Sequence, residues 1–397
     1  MTHNSHSWIT PPAVKLGIDV LLESRRELLR GRPVGVVTNH TGLTWDLRHT
    51  IDAFAEADDI DLVALYGPEH GARGDAEDAQ PVDSAVDPHT GLPVHSLYGA
   101  QTKPTAKMLE GVDVLVFNIQ DVGARFYTFS STMALCMQAA AEHDIAMVVL
   151  DRPNPITGTK VEGNILDPDF SSFVGLYPIP VRHGLTLGEM ARMINEEFEV
   201  GCDLTVVAME GWQRSMWFDQ TGLSYVITSP GSPTLDTDTV YTGSCLFEGT
   251  NLSLGRGTTR PFELIGAPWM DGHAWAQKLN ALDYPGVLFR AAFFTPWSWD
   301  FAAQACSGVQ IHVLDRGIFE PVKVGLAMIE VIRLMYPERF EWRCSQEARI
   351  PYWFDQLMGT DKVRKQMEAG TSIRAITAGW QPDLETYRTM RSRYLLY

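Results

Sequence analysis

The sequence predicts an α/β protein in which a doubly wound, mostly parallel sheet comes first and a smaller α+β part follows. In the first half of this 397-residue chain, short apolar runs alternate with stretches of helical periodicity, as expected of parallel strands joined by right-handed helical crossovers. Turn-forming Ser, Pro and Gly then cluster at residues 229–234, and the alternation is less regular beyond them. We therefore expect an α/β domain over residues 14–225 and an α+β domain over residues 226–397.

Five short apolar runs predict strands of the first domain, and each run ends at polar residues. They occupy residues 33–37, 60–65, 112–117, 145–150 and 176–181, the last being weaker because it contains prolines. If the strands are parallel, their carboxyl ends lie along one edge of the sheet, where open α/β sheets bind ligands. The polar residues assigned to this edge are Asn39, Glu69, His70, Arg73, Asp121, Arg125, Asp151, Arg152, Arg182 and His183.

The segments between these runs predict helices and one more strand. Residues 46–57 and 125–142 have helical apolar spacing, and Thr186 with Glu189 forms a capping box that begins a further helix. Residues 202–209 predict the additional strand.

The second domain is expected to mix strands and helices. Residues 287–294 and 308–313 have the composition of strands. Residues 321–336 predict a long helix with proline in its first turn, and residues 361–370 predict a short capped helix.

The chain is acidic, with 49 Asp and Glu against 32 Lys and Arg and a net charge of −17. An acidic surface repels nucleic acids and anionic membranes, so neither is an expected partner. The first residues contain no basic or apolar leader, and no run is long enough to span a bilayer. Five scattered cysteines indicate reduced thiols rather than a disulfide framework, so we expect a cytoplasmic protein.

Several common active-site motifs are missing from the sequence. No Gly-x-Gly-x-x-Gly follows the first strand, and there is no phosphate loop, His-Glu-x-x-His or Gly-x-Ser-x-Gly. We therefore expect no cofactor. The strand-end carboxylates favour chemistry in which acids donate protons or act as bases or nucleophiles, as in glycoside hydrolysis.

A second polar cluster lies between residues 247 and 263. Its candidate binding residues are Glu248, Asn251, Arg256 and Arg260. Glycines and small hydroxyl residues surround them, so a ligand can approach the backbone closely, and arginine binds carboxylates in a bidentate manner. Farther along, Trp297-Ser298-Trp299 is a candidate platform for a sugar ring.

Several of these segments resemble the peptidoglycan exo-β-N-acetylmuramidases, and the resemblance extends from about residue 14 to residue 397. The segments that carry it are Tyr66-Gly67-Pro68-Glu69-His70-Gly71, residues 118–127, residues 150–155, Phe247-Glu248-Gly249-Thr250-Asn251, residues 255–262 and Tyr394-Leu395-Leu396-Tyr397. The resemblance implies a Rossmann-like first domain and an active site in the cleft between the two domains. It also implies release of N-acetylmuramic acid from the non-reducing end of amino-sugar or muropeptide substrates. The sequence departs from the secreted members of the family in its lack of an export signal, and this departure favours action inside the cell.

The resemblance implies that Glu69, in the Gly-Pro-Glu-His-Gly motif, is the catalytic acid. Asp121 and Glu162 are candidates for a second carboxylate. Asp121 is preferred because its strand comes next in sequence and neighbouring strands lie about 4.8 Å apart. The separation of the two carboxyl groups would decide between a retaining and an inverting reaction, unless the substrate's own acetamido group is the nucleophile.

The released sugar carries a lactyl carboxylate, so its pocket needs a cation. The candidate arginines are Arg125, Arg152, Arg182, Arg256 and Arg260. Two other functions remain open from the residues. A metal-dependent hydrolase would use Asp121, Asp151, His70 and His183 as ligands and would be inhibited by a chelator. A non-catalytic protein would bind the same sugar without hydrolysing it.

Overall fold

The computed structural model describes residues 10–74, 85–346 and 349–397, which fold into an α/β part and a smaller α+β part. Residues 1–8, on which the expectation of a missing leader rests, lie outside these ranges. Within them, no helix is both long enough and apolar enough to cross a membrane.

The first part is built on a seven-stranded sheet whose order is β3-β4-β2-β1-β5-β6-β9. The strands of the chain are β1 (Pro33–Thr38), β2 (Asp61–Gly67), β3 (Ala85–Val86), β4 (Pro93–Ser96), β5 (Val114–Asn118), β6 (Ala146–Leu150), β7 (Glu162–Ile165), β8 (Pro180–Arg182), β9 (Leu204–Val207), β10 (Leu264–Ala267), β11 (Val287–Phe294) and β12 (Cys306–Val313). Edge strand β3 runs antiparallel to β4, and the other pairs in this sheet are parallel. The predicted α/β class with a mostly parallel sheet is therefore confirmed.

Helices connect the strands, and in the second part they contain more residues than the strands do. They are α1 (Gly17–Ser24), α2 (Thr50–Ala55), α3 (Phe129–Glu142), α4 (Leu187–Glu197), α5 (Leu235–Ser244), α6 (Gly272–Asn280), α7 (Pro321–Met335), α8 (Trp353–Met358), α9 (Lys362–Glu368), α10 (Ile373–Ala378) and α11 (Gln381–Arg391). Helix α4 begins with the predicted capping box of Thr186 and Glu189. Helix α7 begins at Pro321, as predicted.

The central strands are buried on both faces of the sheet. Successive side chains of a strand point to opposite faces, so Val36 of β1 joins one apolar cluster and Val37 joins another. Side chains of α1 and α2 complete the first cluster, and side chains of α3 and α4 complete the second. Burial on both faces explains why these strands are apolar runs without polar alternation.

One predicted strand does not join this sheet. Strand β8 pairs antiparallel with β7 in a separate two-stranded sheet. The physical reason is that Pro178 and Pro180, two residues apart, both lack the N–H that a central strand would donate toward one neighbouring strand. Arg182 therefore ends a strand outside the main sheet, and His183 follows it, so the prediction that all five polar ends share one edge is wrong.

The strand order also changes the expected neighbours of Glu69. Strand β1 lies between β2, which precedes Glu69, and β5, which precedes Asp121. The two outer strands are thus two spacings apart, or about 10 Å. The expectation that these two carboxylates follow neighbouring strands is wrong.

The second part contains a three-stranded antiparallel sheet of order β10-β12-β11, packed against helices. Helices α5 and α7 touch at backbone level, since a Cβ on Gly243 would lie 1.9 Å from the carbonyl oxygen of Pro321. One apolar cluster contains both Phe117 of the main sheet and Ile329 of α7. The two parts therefore share a core, which fixes the cleft between them.

Candidate active site

Glu69 lies in a tight turn directly after β2. The Gly71 N–H donates to the Pro68 carbonyl at 2.9 Å, and His70 has a φ of 75°, which fits the third position of a type II turn. This conformation is costly for a residue other than glycine, and such strain clusters at functional sites. The turn holds Glu69, half-buried, at the carboxyl edge of the sheet.

The carboxyl group of Glu69 contacts the beginning of α3. Oγ1 of Thr128 donates a hydrogen bond to Oε2 of Glu69 at 2.8 Å. The preceding rings of Phe126 and Tyr127 pack edge to face against Tyr241, with centroid distances of 5.5 and 5.6 Å. The first part therefore presents Glu69 to the same space that Tyr241 borders from the second part.

Glu248 faces this space from the second part. It lies in the short 3₁₀ helix Cys245–Gly249, which continues α5. Its Oε1 accepts a hydrogen bond from Nη2 of Arg256 at 3.0 Å, and its Oε2 accepts one from Nε1 of Trp353 at 3.3 Å. A nearby arginine and a tryptophan that is distant in sequence therefore orient the two oxygens of this carboxylate.

The guanidinium of Arg256 lies between two aromatic rings. Its carbon is 4.9 Å from the ring centre of Phe262 and 4.8 Å from that of Trp299, both within the range of cation–π attraction. Gly257 permits this arrangement, because a Cβ there would lie 2.5 Å from the carbonyl oxygen of Ser298. Because Gly257 has no side chain, the loop that carries Trp299 packs directly against the backbone of the glycine-rich segment.

A cavity of about 520 Å³ lies between the two parts, and a smaller one of about 50 Å³ lies next to Glu69. Both are lined by Glu69, Phe126, Thr128, Tyr241 and Arg256. The larger cavity is also lined by Tyr98, Phe173, Glu248, Trp299, Asp300, Arg343, Trp353 and Gln356, and the smaller by His70. Aromatic walls with a few converging charged groups are typical of a small-molecule site.

Family models for the exo-β-N-acetylmuramidase NamZ match nearly the whole chain. The model of the N-terminal region matches residues 34–236, and the model of the C-terminal region matches residues 239–397. This chain belongs to the NamZ exo-β-N-acetylmuramidase family. The family membership confirms the resemblance that the sequence motifs suggested, and with it the enzyme class of glycoside hydrolase.

Individual relatives agree with this assignment. The peptidoglycan β-N-acetylmuramidase NamZ of Bacillus subtilis is 48% identical over 386 residues, covering 97% of this chain and 92% of that protein. A DUF1343-family crystal structure from Bacteroides fragilis matches with a TM-score of 0.89 and 38% identity, covering 97% of this chain and 99% of its own. A second structure of that family from the same organism matches with a TM-score of 0.74 and 32% identity over the same shares.

The cleft brings together four of the site residues predicted from the sequence, namely Glu69, His70, Glu248 and Arg256. Of the predicted aromatic platform, Trp299 lines the cleft, whereas Trp297 does not. The other predicted site residues lie elsewhere, and their contacts explain why.

Asp121 and His183 contact each other outside the cleft. Asp121 is buried, and its Oδ2 accepts from the Gly123 N–H at 2.7 Å and lies 3.6 Å from Nε2 of His183. Nδ1 of His183 accepts from the Leu185 N–H at 3.2 Å. The pair connects the segments that follow β5 and β8, and neither residue lines the two cavities.

Three of the predicted anchors are interior residues that bind backbone carbonyls. Arg125 donates to three carbonyl oxygens, and Arg152 and Arg182 donate to one each. Burial lowers the pKa of Arg125 to about 9 and the pKa values of Arg152 and Arg182 to about 10. These side chains hold loops together and do not line the cleft, so the structure does not support them as lactyl anchors.

Two other strand-end residues serve local structure. Oδ1 of Asn39 accepts from the Thr41 N–H at 2.9 Å, which forms a side-chain turn. Arg73 forms ion pairs of 2.9 and 2.8 Å with Asp52 and Asp87, linking α2 to the residue after β3.

Asp151 and Glu162 are also engaged away from the cleft. Asp151 accepts from the hydroxyls of Thr186 and Tyr397, each at 2.7 Å, and Glu162 accepts from the Lys323 N–H at 3.2 Å. Burial raises the pKa of Asp151 to about 6 and that of Glu162 to about 7. Glu162 therefore packs against the beginning of α7 rather than facing Glu69.

In the second cluster, Asn251 and Arg260 make structural contacts and do not line the cleft. The Asn251 amide donates to the Arg339 carbonyl at 2.7 Å and accepts from the Glu341 N–H at 3.1 Å. Arg260 pairs with Glu263 at 3.2 Å, and neither Asn251 nor Arg260 lines the cavities.

The cleft contains several residues that sequence reasoning missed, namely Tyr98, Thr128, Phe173, Tyr241, Arg343, Trp353 and Gln356. Thr128 had a usable signal, since it is a hydroxyl residue in the first turn of the helix predicted over residues 125–142. Trp353 had none, because its contact with Glu248 spans 105 positions of sequence.

Over the described ranges, no group of three or more His, Cys, Asp or Glu side chains is arranged to hold a metal ion. Asp151 is engaged by Thr186 and Tyr397, whereas His70 lies beside the cleft. The ligands that a metal-dependent hydrolase would require therefore do not come together in that part of the chain.

Proposed function

We propose that this protein is an exo-acting glycoside hydrolase that releases N-acetylmuramic acid from the non-reducing end of peptidoglycan-derived fragments. The observation that carries the proposal is one cleft in which Glu69 of the first part meets Glu248 and Arg256 of the second. Two carboxyl groups and a cation are what hydrolysis of an anionic amino sugar needs. The Bacillus subtilis relative is named as a peptidoglycan β-N-acetylmuramidase, which supports the same assignment.

Glu69 is the general acid in this proposal. It protonates the glycosidic oxygen, so that the alcohol leaves as the bond to the sugar breaks. Glu248 replaces Asp121 and Glu162 as the second carboxylate, because it lines the cleft from the opposite part. Asp300, the third carboxylate among the described cleft residues, forms a 2.7 Å ion pair with Arg343.

Arg256 is the anchor for the lactyl carboxylate. The rings of Phe262 and Trp299 flank its guanidinium, so water is displaced from its faces and its charge acts in a less polar environment. A guanidinium has five N–H donors and can serve Glu248 and a ligand carboxylate together. A plain glucosaminide offers no carboxylate to this cation, and that difference gives the enzyme its preference for the muramide.

The cysteines support an intracellular place of action. All five are free thiols, and four of them are buried in positions where no disulfide forms. Reduced thiols are typical of the cytoplasm. The substrates would then be cell-wall fragments that have entered the cell.

The test compares a chromogenic β-N-acetylmuramide with the matching β-N-acetylglucosaminide. We expect hydrolysis of the muramide with kcat/KM at least about tenfold higher than for the glucosaminide, the scale of one charge-assisted contact. Binding of the muramide without release of the chromophore would instead support the sugar-binding alternative. Loss of activity after dialysis against a chelator, restored by a divalent metal, would support the metal-dependent hydrolase.

A further inference from the structure

We infer that Thr128 is a positioning residue whose hydroxyl fixes the rotation of the Glu69 carboxyl group. The inference rests on the proposed function, because it presumes that Glu69 is the acid. Its starting point is the 2.8 Å hydrogen bond from Oγ1 of Thr128 to Oε2 of Glu69, which joins the beginning of α3 to the turn after β2.

The hydroxyl of Thr128 is not used by the helix that it begins. Threonine at the N-cap of a helix, the position that Thr128 occupies, ordinarily accepts a hydrogen bond from a backbone N–H of the first turn. Here Thr128 has helical angles, φ −65° and ψ −14°, and its side chain caps no N–H of α3. Its backbone carbonyl still accepts from the Thr132 N–H at 2.9 Å, so the first turn is complete without the side chain. The hydroxyl thus acts toward Glu69, on another element.

The donor is held in place by its neighbours. The ring of Tyr127 packs edge to face against Phe129 at a centroid distance of 5.0 Å and against Tyr241 at 5.6 Å. These contacts fix the backbone on both sides of Thr128. Glu69, in contrast, is half-buried on a turn and has a side chain with three rotatable bonds. A donor that its neighbours hold in place, next to a side chain with three rotatable bonds, favours one orientation of the carboxyl group.

The hydrogen bond also determines which oxygen of the Glu69 carboxyl group carries the proton. In the protonated carboxyl group, the Thr128 hydroxyl donates to Oε2, which is then the carbonyl oxygen, and the proton is carried on Oε1. In the reaction this proton moves from Oε1 to the glycosidic oxygen while the bond from that oxygen to the sugar carbon breaks. The bonding pair stays with the leaving alcohol, the sugar carbon gains a bond to a nucleophile and finally to water, and Glu69 becomes a carboxylate that Thr128 still stabilises.

The experiment uses Thr128→Val, which removes the hydroxyl and keeps the shape, and Thr128→Ser, which keeps the hydroxyl. Ser130→Ala is the matched control, because its hydroxyl lies two residues away and donates to the Tyr127 carbonyl at 3.3 Å. Each is assayed on a muramyl-β-glucosaminide disaccharide, whose leaving alcohol needs a proton, and on an aryl muramide with an acidic phenol, which needs it far less.

For the disaccharide, we expect Thr128→Val to lower kcat about ten- to a hundredfold with KM nearly unchanged, because positioning acts in the transition state. The loss on the aryl muramide should be several-fold smaller, and Thr128→Ser should recover most of the activity. Ser130→Ala should behave as wild type on both substrates. A general disturbance of α3 would lower kcat equally on the two substrates. The ratio of the two kcat losses therefore distinguishes a positioning role of Thr128 from a structural one.

Three results would overturn the role of Thr128: an unchanged kcat in Thr128→Val, equal losses on both substrates, or equal impairment of the valine and serine variants. Thermal unfolding checks that each variant is folded, and Thr128→Ala replaces the valine variant if that one is not. A wild-type protein that cleaves neither substrate would refute the proposed function itself. A wild-type protein that cleaves both, with the valine variant unaffected, would refute the positioning role alone.

Discussion

The hydroxyl of Tyr397 donates a 2.7 Å hydrogen bond to Oδ2 of Asp151, at the carboxyl end of β6. The same carboxylate accepts from the Thr186 hydroxyl at 2.7 Å and from the Gly188 N–H at 2.8 Å, both at the beginning of α4. Asp151 is fully buried, and burial raises its pKa to about 6. A polar residue at a strand end thus fastens α4 and Tyr397 to the sheet instead of binding a ligand.

Tyr397→Phe should therefore destabilise the protein without changing its catalysis. The substitution keeps the ring but removes a donor from a buried carboxylate, which costs about 1–3 kcal/mol of unfolding free energy. Denaturant titration should show a lower midpoint with an unchanged slope. Tyr352→Phe is the control, because it keeps the ring that lies 4.2 Å from the guanidinium carbon of Arg364. Equal stability of the two variants would contradict a structural role for the Tyr397 hydroxyl.

Glu69→Gln should abolish most turnover while leaving binding nearly intact. Glutamine has the shape of the acid and still accepts from Thr128, but it cannot donate a proton to the leaving oxygen. We expect kcat to fall by about two to four decades on the disaccharide, the usual range for a lost general acid. Glu110→Gln, at an exposed position, is the control for charge removal. A variant that keeps most of its turnover would exclude Glu69 as the acid.

Arg256→Ala should narrow the difference in kcat/KM between the muramide and the glucosaminide. A charge-assisted hydrogen bond contributes about 1.5–3 kcal/mol, so the preference should shrink by about one to two decades. Arg260→Ala is the matched control, because Arg260 pairs with Glu263 outside the cavities. If Arg256→Ala keeps the wild-type preference, the lactyl carboxylate is bound by another group.

Asp238 makes the stability of the protein depend on pH. It is fully buried, accepts from Ser232 and from Tyr225, and lies near the charge of Asp121. Burial raises its pKa from 3.8 to about 7. The folded state therefore holds this proton more tightly than the unfolded chain, so its stabilising contribution is complete at low pH and is lost as the pH rises toward 7.

Asp238→Asn cannot titrate and should lose this dependence. Relative to wild type, the unfolding free energy of the variant should rise by about 1–3 kcal/mol between pH 5 and pH 8. Denaturant titrations at several pH values measure the difference directly. A difference that stays constant or moves in favour of wild type at high pH would show that the Asp238 carboxyl is already ionised in the folded protein at pH 5.

The sequence predicts the fold well, because its signals there are local. The apolar strands, the capping box at Thr186 and the helix that begins at Pro321 each depend on residues close together in sequence. Strand order is different, since it depends on how crossovers place whole elements. Nothing in the runs themselves says that β1 lies between β2 and β5, whereas the prolines in the fifth run are a local signal that β8 leaves the sheet.

The site is only partly predictable for a related reason. A polar residue after a strand either faces the cleft or satisfies backbone groups beneath it, and the choice depends on partners far away in sequence. Arg125 binds the carbonyl of Leu357, 232 positions away, whereas Arg256 lies between Phe262 and Trp299. The sequence motifs around the two arginines look alike. Only the folded structure therefore distinguishes an arginine that faces the cleft from one that binds backbone carbonyls in the interior.

Glu248 and Asp121 give the last prediction, because they are the two rivals for the second carboxylate. Glu248 lines the cleft with its oxygens oriented by Arg256 and Trp353, whereas Asp121 accepts from the Gly123 N–H outside it. Glu248→Gln keeps the shape but removes the charge that would face the developing positive charge on the sugar. We expect kcat/KM to fall by about two decades or more, with little loss of stability.

Asp121→Asn should show the reverse pattern. The amide oxygen of the new side chain can still accept the hydrogen bond from the Gly123 N–H, but the buried carboxylate beside His183 is lost. The midpoint of unfolding should therefore fall, while kcat should stay near that of wild type. Measuring kcat/KM and thermal unfolding on both variants decides between the two residues. A catalytic loss in Asp121→Asn at unchanged stability, with Glu248→Gln active, would return the second carboxylate to Asp121.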